Sequence, residues 1–117
     1  MQQNNPELEK NLMQYQNLEK QLQSAMLQKN QLQLQVNEID LAIKELSKTS
    51  EEEVFKSIGA IMVKTTKENA QKDLEDRKKM SELRINSLTK QEEQLKSKLD
   101  ELREVLEASL KPHQGAK

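Results

Sequence analysis

Cysteine and tryptophan are absent from this 117-residue chain, and histidine occurs once. Without thiols there is no disulfide framework, no thiolate metal site and no cysteine nucleophile. Aromatic residues make up 2% of the sequence, as Tyr15 and Phe55, so the bulk that fills a thick globular core is missing. The longest apolar run, Ile58 to Val63, is broken by Gly59 and is far too short to span a bilayer. The opening Met-Gln-Gln-Asn-Asn-Pro lacks the basic and apolar regions of a secretory signal, so a cytoplasmic location is expected. Charge of either sign is not in excess: 19 basic and 20 acidic side chains are interspersed, leaving no broad basic face for nucleic acid. The one local cluster, Arg77-Lys78-Lys79, is flanked by Glu75, Asp76 and Glu82 and reads as a solvated helix face.

Glycine and proline are scarce, and their placement is informative. Pro6 opens a long stretch, Gly59 stands near the centre, and Pro112 and Gly115 close the chain. Proline costs about 3 kcal/mol and glycine about 1 kcal/mol inside a helix, so their absence between these points permits two long helices of nearly equal length. Charged residues at 33%, with periodic Leu, Ile, Val and Ala, suit a coiled coil. Disorder is the competing reading of so polar a chain, but the net charge is only −1 and the apolar residues keep a period.

In the first arm, heptad position a falls on Leu8, Tyr15, Leu22, Lys29, Val36 and Ile43, and d on Asn11, Leu18, Ala25, Leu32, Ile39 and Leu46. Only Asn11 and Lys29 interrupt that seam. The second arm carries a weaker one through Ile85, Leu88, Leu95, Leu99, Leu102 and Leu106, with Glu92 at an a position. Upstream, the same frame meets Leu74 but then Lys78 and Ser81, while Met80 and Leu83 lie off it. That suggests a phase shift or a looser, bendable stretch. Thr65 and Glu68 are placed to form a capping box at the start of this helix, and Lys111-Pro112 to end it. Folding back at the centre sets Leu8 near Leu106, Tyr15 near Leu99, Ala25 near Leu88 and Ile39 near Leu74. Apolar faces apolar throughout, which favours an antiparallel hairpin.

The centre differs from both arms. Val54 to Ile58 and Ile61 to Thr65 are rich in β-branched residues and flank Gly59-Ala60, so they read as two short strands around a tight turn, although a short apolar run can also be helical. Ser47 to Glu53 is the polar connector. An isolated two-stranded hairpin is marginal in water and exposes unpaired edges. Pairing with hairpins of other subunits would satisfy the backbone and cover the apolar side chains, so an oligomer closed through this segment is expected. Residues assigned to that contact are Val54, Phe55, Ile58, Gly59, Ile61, Met62 and Val63.

Catalytic groups do not converge. His113 lies in the tail, Tyr15 is a seam residue, no glycine-rich phosphate loop exists, and Glu92-Glu93 and Asp100-Glu101 are ordinary coiled-coil surface. The chain is expected to be no enzyme. Binding remains. Where the helical seam stops, far from the hairpin, Leu12, Met13, Val105 and Leu110 are apolar and off the seam; Met13 and Met26 add adaptable surface. Leu27, Leu34 and Leu41 form a further stripe, read either as scattered surface residues, as contacts between subunits or as a binding face.

Taken together these features resemble the β class of the prefoldin family, the ATP-independent molecular chaperones of archaea and eukaryotes, over essentially the whole chain. The most specific part is Val54-Phe-Lys-Ser-Ile-Gly-Ala-Ile-Met-Val-Lys-Thr-Thr-Lys-Glu-Asn-Ala70, similar to the family's hairpin and helix entry. The Gln-rich stretch from Gln14 to Gln35 and Gln91-Glu92-Glu93 also fit, and one hairpin rather than two suits the β class; the short tails look archaeal. The resemblance implies a mainly α fold: a long antiparallel coiled-coil helical hairpin whose central β-hairpin oligomerises into a β-barrel platform. It implies a single domain over 1–117, with helices at about 6–48 and 66–111, the hairpin at about 53–65 and a tail from 112. It implies a hexamer of two prefoldin α and four β subunits, non-native polypeptides as clients, hand-over to a group II chaperonin, and no nucleotide or metal cofactor. Clients would be held at the tips by Leu8, Leu12, Met13, Leu102, Val105, Leu106 and Leu110. Two other classes compete. A coiled-coil scaffold without clients accounts for the arms but not for the β-rich centre, and an arm docking on RNA is disfavoured by the balanced charge.

Overall fold

The structure, a computed structural model, describes residues 5–110. The helix stop at Lys111-Pro112, His113 and the tail lie outside the described residues. In chain order the elements are α1 (Pro6–Lys48), β1 (Glu53–Ile58), β2 (Ile61–Thr66) and α2 (Lys67–Leu110). The fold is mainly α, two long helices joined through an antiparallel β-hairpin.

Helix α1 begins where proline's fixed φ suits the first helical position. Asn5 caps it: its side-chain Oδ1 accepts a 3.1 Å hydrogen bond from the Leu8 N–H, and its carbonyl accepts from Glu9 N–H at 3.0 Å. Glu7 and Glu9 in the first turn and Lys48 in the last complement the helix dipole. Helix α2 is capped by Thr66, whose Oγ1 accepts from Asn69 N–H at 3.0 Å. The cap is therefore one residue later than the Thr65–Glu68 box expected from sequence. Thr65 lies inside β2, paired with Val54, whereas Thr66 is the last strand residue and directly precedes α2, so the cap falls to Thr66 and Glu68 is one position short of the reciprocal site.

The chain divides into two units, Met1–Gln28 with Leu88–Lys117, and Lys29–Ser87. Each is built from a stretch of α1 against a stretch of α2. In the first, Ala25, Leu88, Leu95, Leu99 and Leu106 are buried, and Leu8, Tyr15, Leu18, Leu22 and Leu102 are half-buried. In the second, Val36 is buried, while Ile39, Ala42 and Leu74 line one groove of about 600 Å³. Along α1 the residues that are not exposed are the a and d positions of the expected frame and no others. Ala25 at 2% exposure is the most deeply covered, its single methyl allowing close approach.

On α2 the outcome differs from expectation in one respect. There is no phase shift before Ile85: Leu74, Lys78, Ser81 and Ile85 all keep the inward face, while Met80 and Leu83 point outward and are exposed. Geometry explains the choice. One helix without an insertion keeps one phase, and the polar seam residue finds a partner, Lys78 Nζ lying 2.7 Å from Asp40 Oδ1 on α1.

Candidate interaction surfaces

The hairpin is built on a two-residue turn. Ile58 pairs with Ile61, which leaves Gly59 and Ala60 as the loop. Gly59 has φ +57°, and Ala60 does not share a positive φ. Positive φ at the first central residue alone defines a type II′ turn, whose twist matches the flanking strands and which places glycine at that position.

Register then sorts the side chains. Opposed residues share a face, so Val54, Thr65, Lys56, Val63, Ile58 and Ile61 lie on one side, and Glu53, Thr66, Phe55, Lys64, Ser57 and Met62 on the other. The first face is turned to the helices. Val54 is half-buried over a groove of about 520 Å³ that Ala42, Leu46, Ala70 and Leu74 help to line. Lys56 reaches α2, its Nζ lying 2.8 Å from Asp73 Oδ2. Toward the turn the same face emerges from cover, and Ile58, Ile61 and Val63 are exposed. On the outer face Phe55 is 61% and Met62 67% exposed, while Lys64 lies 3.7 Å from Glu53 across the strands. Because the closing pair Ile58–Ile61 is a hydrogen-bonded one, the alternation of the ladder turns the N–H and C=O of Phe55, Ser57, Met62 and Lys64 outward along the two edges. Among the described residues the sheet has only these two strands, so both edges are open.

The base of the hairpin is tied down by one residue that sequence reasoning missed. Lys67 donates its backbone N–H to the Glu52 carbonyl at 2.8 Å and its Nζ to the Thr49 carbonyl, also at 2.8 Å. Its ammonium thereby sits just past the C-terminal end of α1, where a cation is favoured. The only sequence cue to this was the position of Lys67 at a strand-to-helix junction.

Of the tip residues, Leu12, Met13, Val105 and Leu110 are exposed. Leu8 and Leu102 are half-buried, and Leu106, at 7% exposure, belongs to the seam rather than to the surface. Met13 borders a shallow groove of about 430 Å³ with Pro6, Lys10 and Asn17. Leu27, Leu34 and Leu41 are all exposed, as is Met26. The cluster Arg77-Lys78-Lys79 is not a uniform solvated face: Arg77 pairs with Asp73 at 3.9 Å and Lys78 with Asp40. Two of its three cations are thus engaged within the chain, and Lys79 is exposed. Among the described residues there is no group of three or more His, Asp or Glu side chains fit to hold a metal, and no helix long and apolar enough to cross a membrane.

Two matched helices closing on a β-hairpin with open edges define a class of subunit in which helices and a pairing element share one chain. The sequence agrees with a particular member of that class. The prefoldin subunit family matches residues 9–112. The prefoldin β subunit of Pyrococcus furiosus is 34% identical over 108 residues, 92% of each chain. That of Archaeoglobus fulgidus is 34% identical over 111 residues, 94% of this chain and 96% of its own. In structure, the prefoldin β subunit of Thermococcus strain KS-1 superposes with a TM-score of 0.82 at 34% identity, covering 96% of this chain and 99% of that one. The chain belongs to the prefoldin family, a family of non-enzymatic chaperone subunits, and its relatives here are archaeal β subunits.

Proposed function

We propose that this chain acts as a single domain and as one subunit of a cytoplasmic ATP-independent holdase. Its hairpin pairs edge to edge with those of a prefoldin α subunit and other β subunits, closing a β-barrel platform in an α2β4 hexamer. The observation that carries this is the uncovered hairpin, whose two open edges and exposed Phe55, Ile58, Ile61, Met62 and Val63 are costly for a lone chain in water. Non-native polypeptides are then held through Leu12, Met13, Val105 and Leu110, with Leu8 and Leu102 beside them and Leu106 supporting from the seam, and pass to a group II chaperonin. Exposed apolar groups of which one is a flexible methionine suit clients of no fixed sequence. No nucleotide or metal takes part in this reading.

Dilution of a denatured client tests it. The assembled chain should suppress light scattering, and a variant with Leu12, Met13, Val105 and Leu110 changed to serine should assemble yet fail to suppress it. Full activity in that variant would place clients elsewhere. Aggregation unchanged by the unaltered assembly would favour a scaffold without clients. Mass measurement of the chain alone and with an α partner tests the stoichiometry.

A further inference from the structure

The hairpin meets the helices through few restraints. At its base Lys67 ties the connector at Glu52 and Thr49. One step on, Val54 covers the groove over Ala42, Leu46, Ala70 and Leu74. The last fixed point before the turn is Lys56, with its Nζ 2.8 Å from Asp73 Oδ2. Opposite it Val63 is exposed, and beyond it so are Ile58 and Ile61. At about 3.3 Å per strand residue, the ribbon projects roughly 10 Å past this ion pair.

Lys56 is also out of keeping with its surroundings. It stands on the helix-facing side of the sheet among Val54, Ile58, Ile61 and Val63, where an apolar side chain would pack on the helices without desolvating a charge. A two-stranded ribbon pivoting at its base is a lever, and whatever fixes it midway fixes the direction of both edges.

We propose that Lys56 and Asp73 form a brace that sets the angle at which the hairpin leaves the helices, making them positioning residues for edge pairing between subunits. This rests on the proposed assembly through the hairpin. Lys56, by hydrogen bond and charge, holds the Asp73 carboxyl below its ordinary value, with Arg77 adding a smaller effect, so the carboxyl is ionised at neutral pH. Arg77 lies 3.9 Å from the same carboxylate oxygen, one helical turn further along α2. A β-strand needs a partner edge in line with its own, so an error in this angle is transmitted to every ladder hydrogen bond beyond the first.

Since the chain has no cysteine, spin labels can be placed at Ala60→Cys on the turn and Lys72→Cys on α2 without background. Distance distributions between them are measured by electron spin resonance in four backgrounds: unaltered, Asp73→Asn, Lys56→Gln, and the reversed pair Lys56→Glu with Asp73→Lys. The unaltered chain should give one narrow distance. Each single variant should broaden it with helix content unchanged, and the reversed pair should restore it. Assembly, followed by sedimentation, should need roughly fivefold more protein in the single variants, the upper range for a partly exposed ion pair, and recover in the reversed pair. Narrow, unchanged distances in both single variants, or no recovery in the reversed pair, overturn the brace. An unaltered chain that gives a narrow distance yet stays monomeric with and without an α partner overturns the assembly reading, and the positioning role with it. Normal assembly of the single variants overturns the positioning role alone.

Discussion

In a Gly59→Ala variant the added methyl group meets no atom within 4 Å, so its effect is conformational rather than steric. At φ +57° an L-residue sits in the left-handed region, at a cost of about 1–2 kcal/mol. Alanine also stiffens the unfolded chain, which offsets about 0.4–1 kcal/mol of that. At the middle of these ranges the net loss is about 1 kcal/mol, concentrated in the hairpin because the added methyl group meets nothing else. Asparagine tolerates this region, so Gly59→Asn should lose only a few tenths of a kcal/mol, on the order of the smallest cap effects. A β-branched residue fits worst, and Gly59→Val should exceed the alanine loss.

Amide hydrogen exchange reads this locally. The Ile58 and Ile61 amides form the pair that closes the turn. A loss of about 1 kcal/mol should speed their exchange roughly fivefold, with the amides around Leu95 and Leu99 unaffected. The order glycine, asparagine, alanine, valine is the diagnostic. If alanine matches glycine, or if asparagine and alanine are equal, the turn is not held by a left-handed first residue and the type II′ assignment fails.

Leu99→Ala should destabilise the chain by about 2–3 kcal/mol in urea unfolding, the lower half of the range for buried leucines because a two-helix seam can partly close on the gap. Asn5→Ala and Thr66→Ala should each cost about 1 kcal/mol, seen as faster exchange in the first turn of α1 and of α2 respectively. The Lys56–Asp73 contact lowers the Asp73 pKa, so its contribution is complete above the ordinary value of 3.8 and is lost as pH falls below it; acid should free the hairpin while neutral pH changes nothing. For Lys78 the sign reverses, since Asp40 raises its pKa: that contribution is complete below 10.5 and disappears as pH climbs beyond it, measurable as alkaline loss of protection in α2 near Ser81. With polar side chains at Lys78 and Ser81, amides there should exchange faster than those near Leu95 even at neutral pH, and equal protection would count against a soft layer.

How much of this could be read before any coordinates follows from which forces act locally. The α1 seam was legible because a helix repeats its burial every three and four residues, and twelve positions from Leu8 to Leu46 obey that rule. The turn was legible because a single glycine between β-branched runs has few other uses. Helix α2 was harder: Lys78 and Ser81 look like a fault in the repeat until Asp40, distant in sequence, supplies the partner that lets lysine stay inward. The cap of α2 was misplaced by one residue for a similar reason. Two threonines stand side by side, both paired in the strand, and only the length of the ladder shows that Thr66 is its last residue and so the one that caps the helix.

The candidate surfaces divide along the same line. Exposure of Leu12, Met13, Val105 and Leu110 follows from their falling off the seam, which periodicity reveals, and Leu106 keeps its place in the seam for the same cause. The hairpin is different, because a strand's two faces alternate but nothing in its own sequence says which one meets the helices. Lys56 would have argued for the wrong answer, since a charged side chain normally marks the solvent face. It lies inward because Asp73 waits on α2, and that reversal leaves Phe55 and Met62 as the apolar residues of the opposite face. If subunits associate through this ribbon, Phe55 and Met62 must then become covered from outside, whereas Val54 is already half-covered from within. Substituting Phe55 or Met62 with serine should therefore weaken association with little effect on helix content, and substituting Val54 should loosen the hairpin in the isolated chain as well.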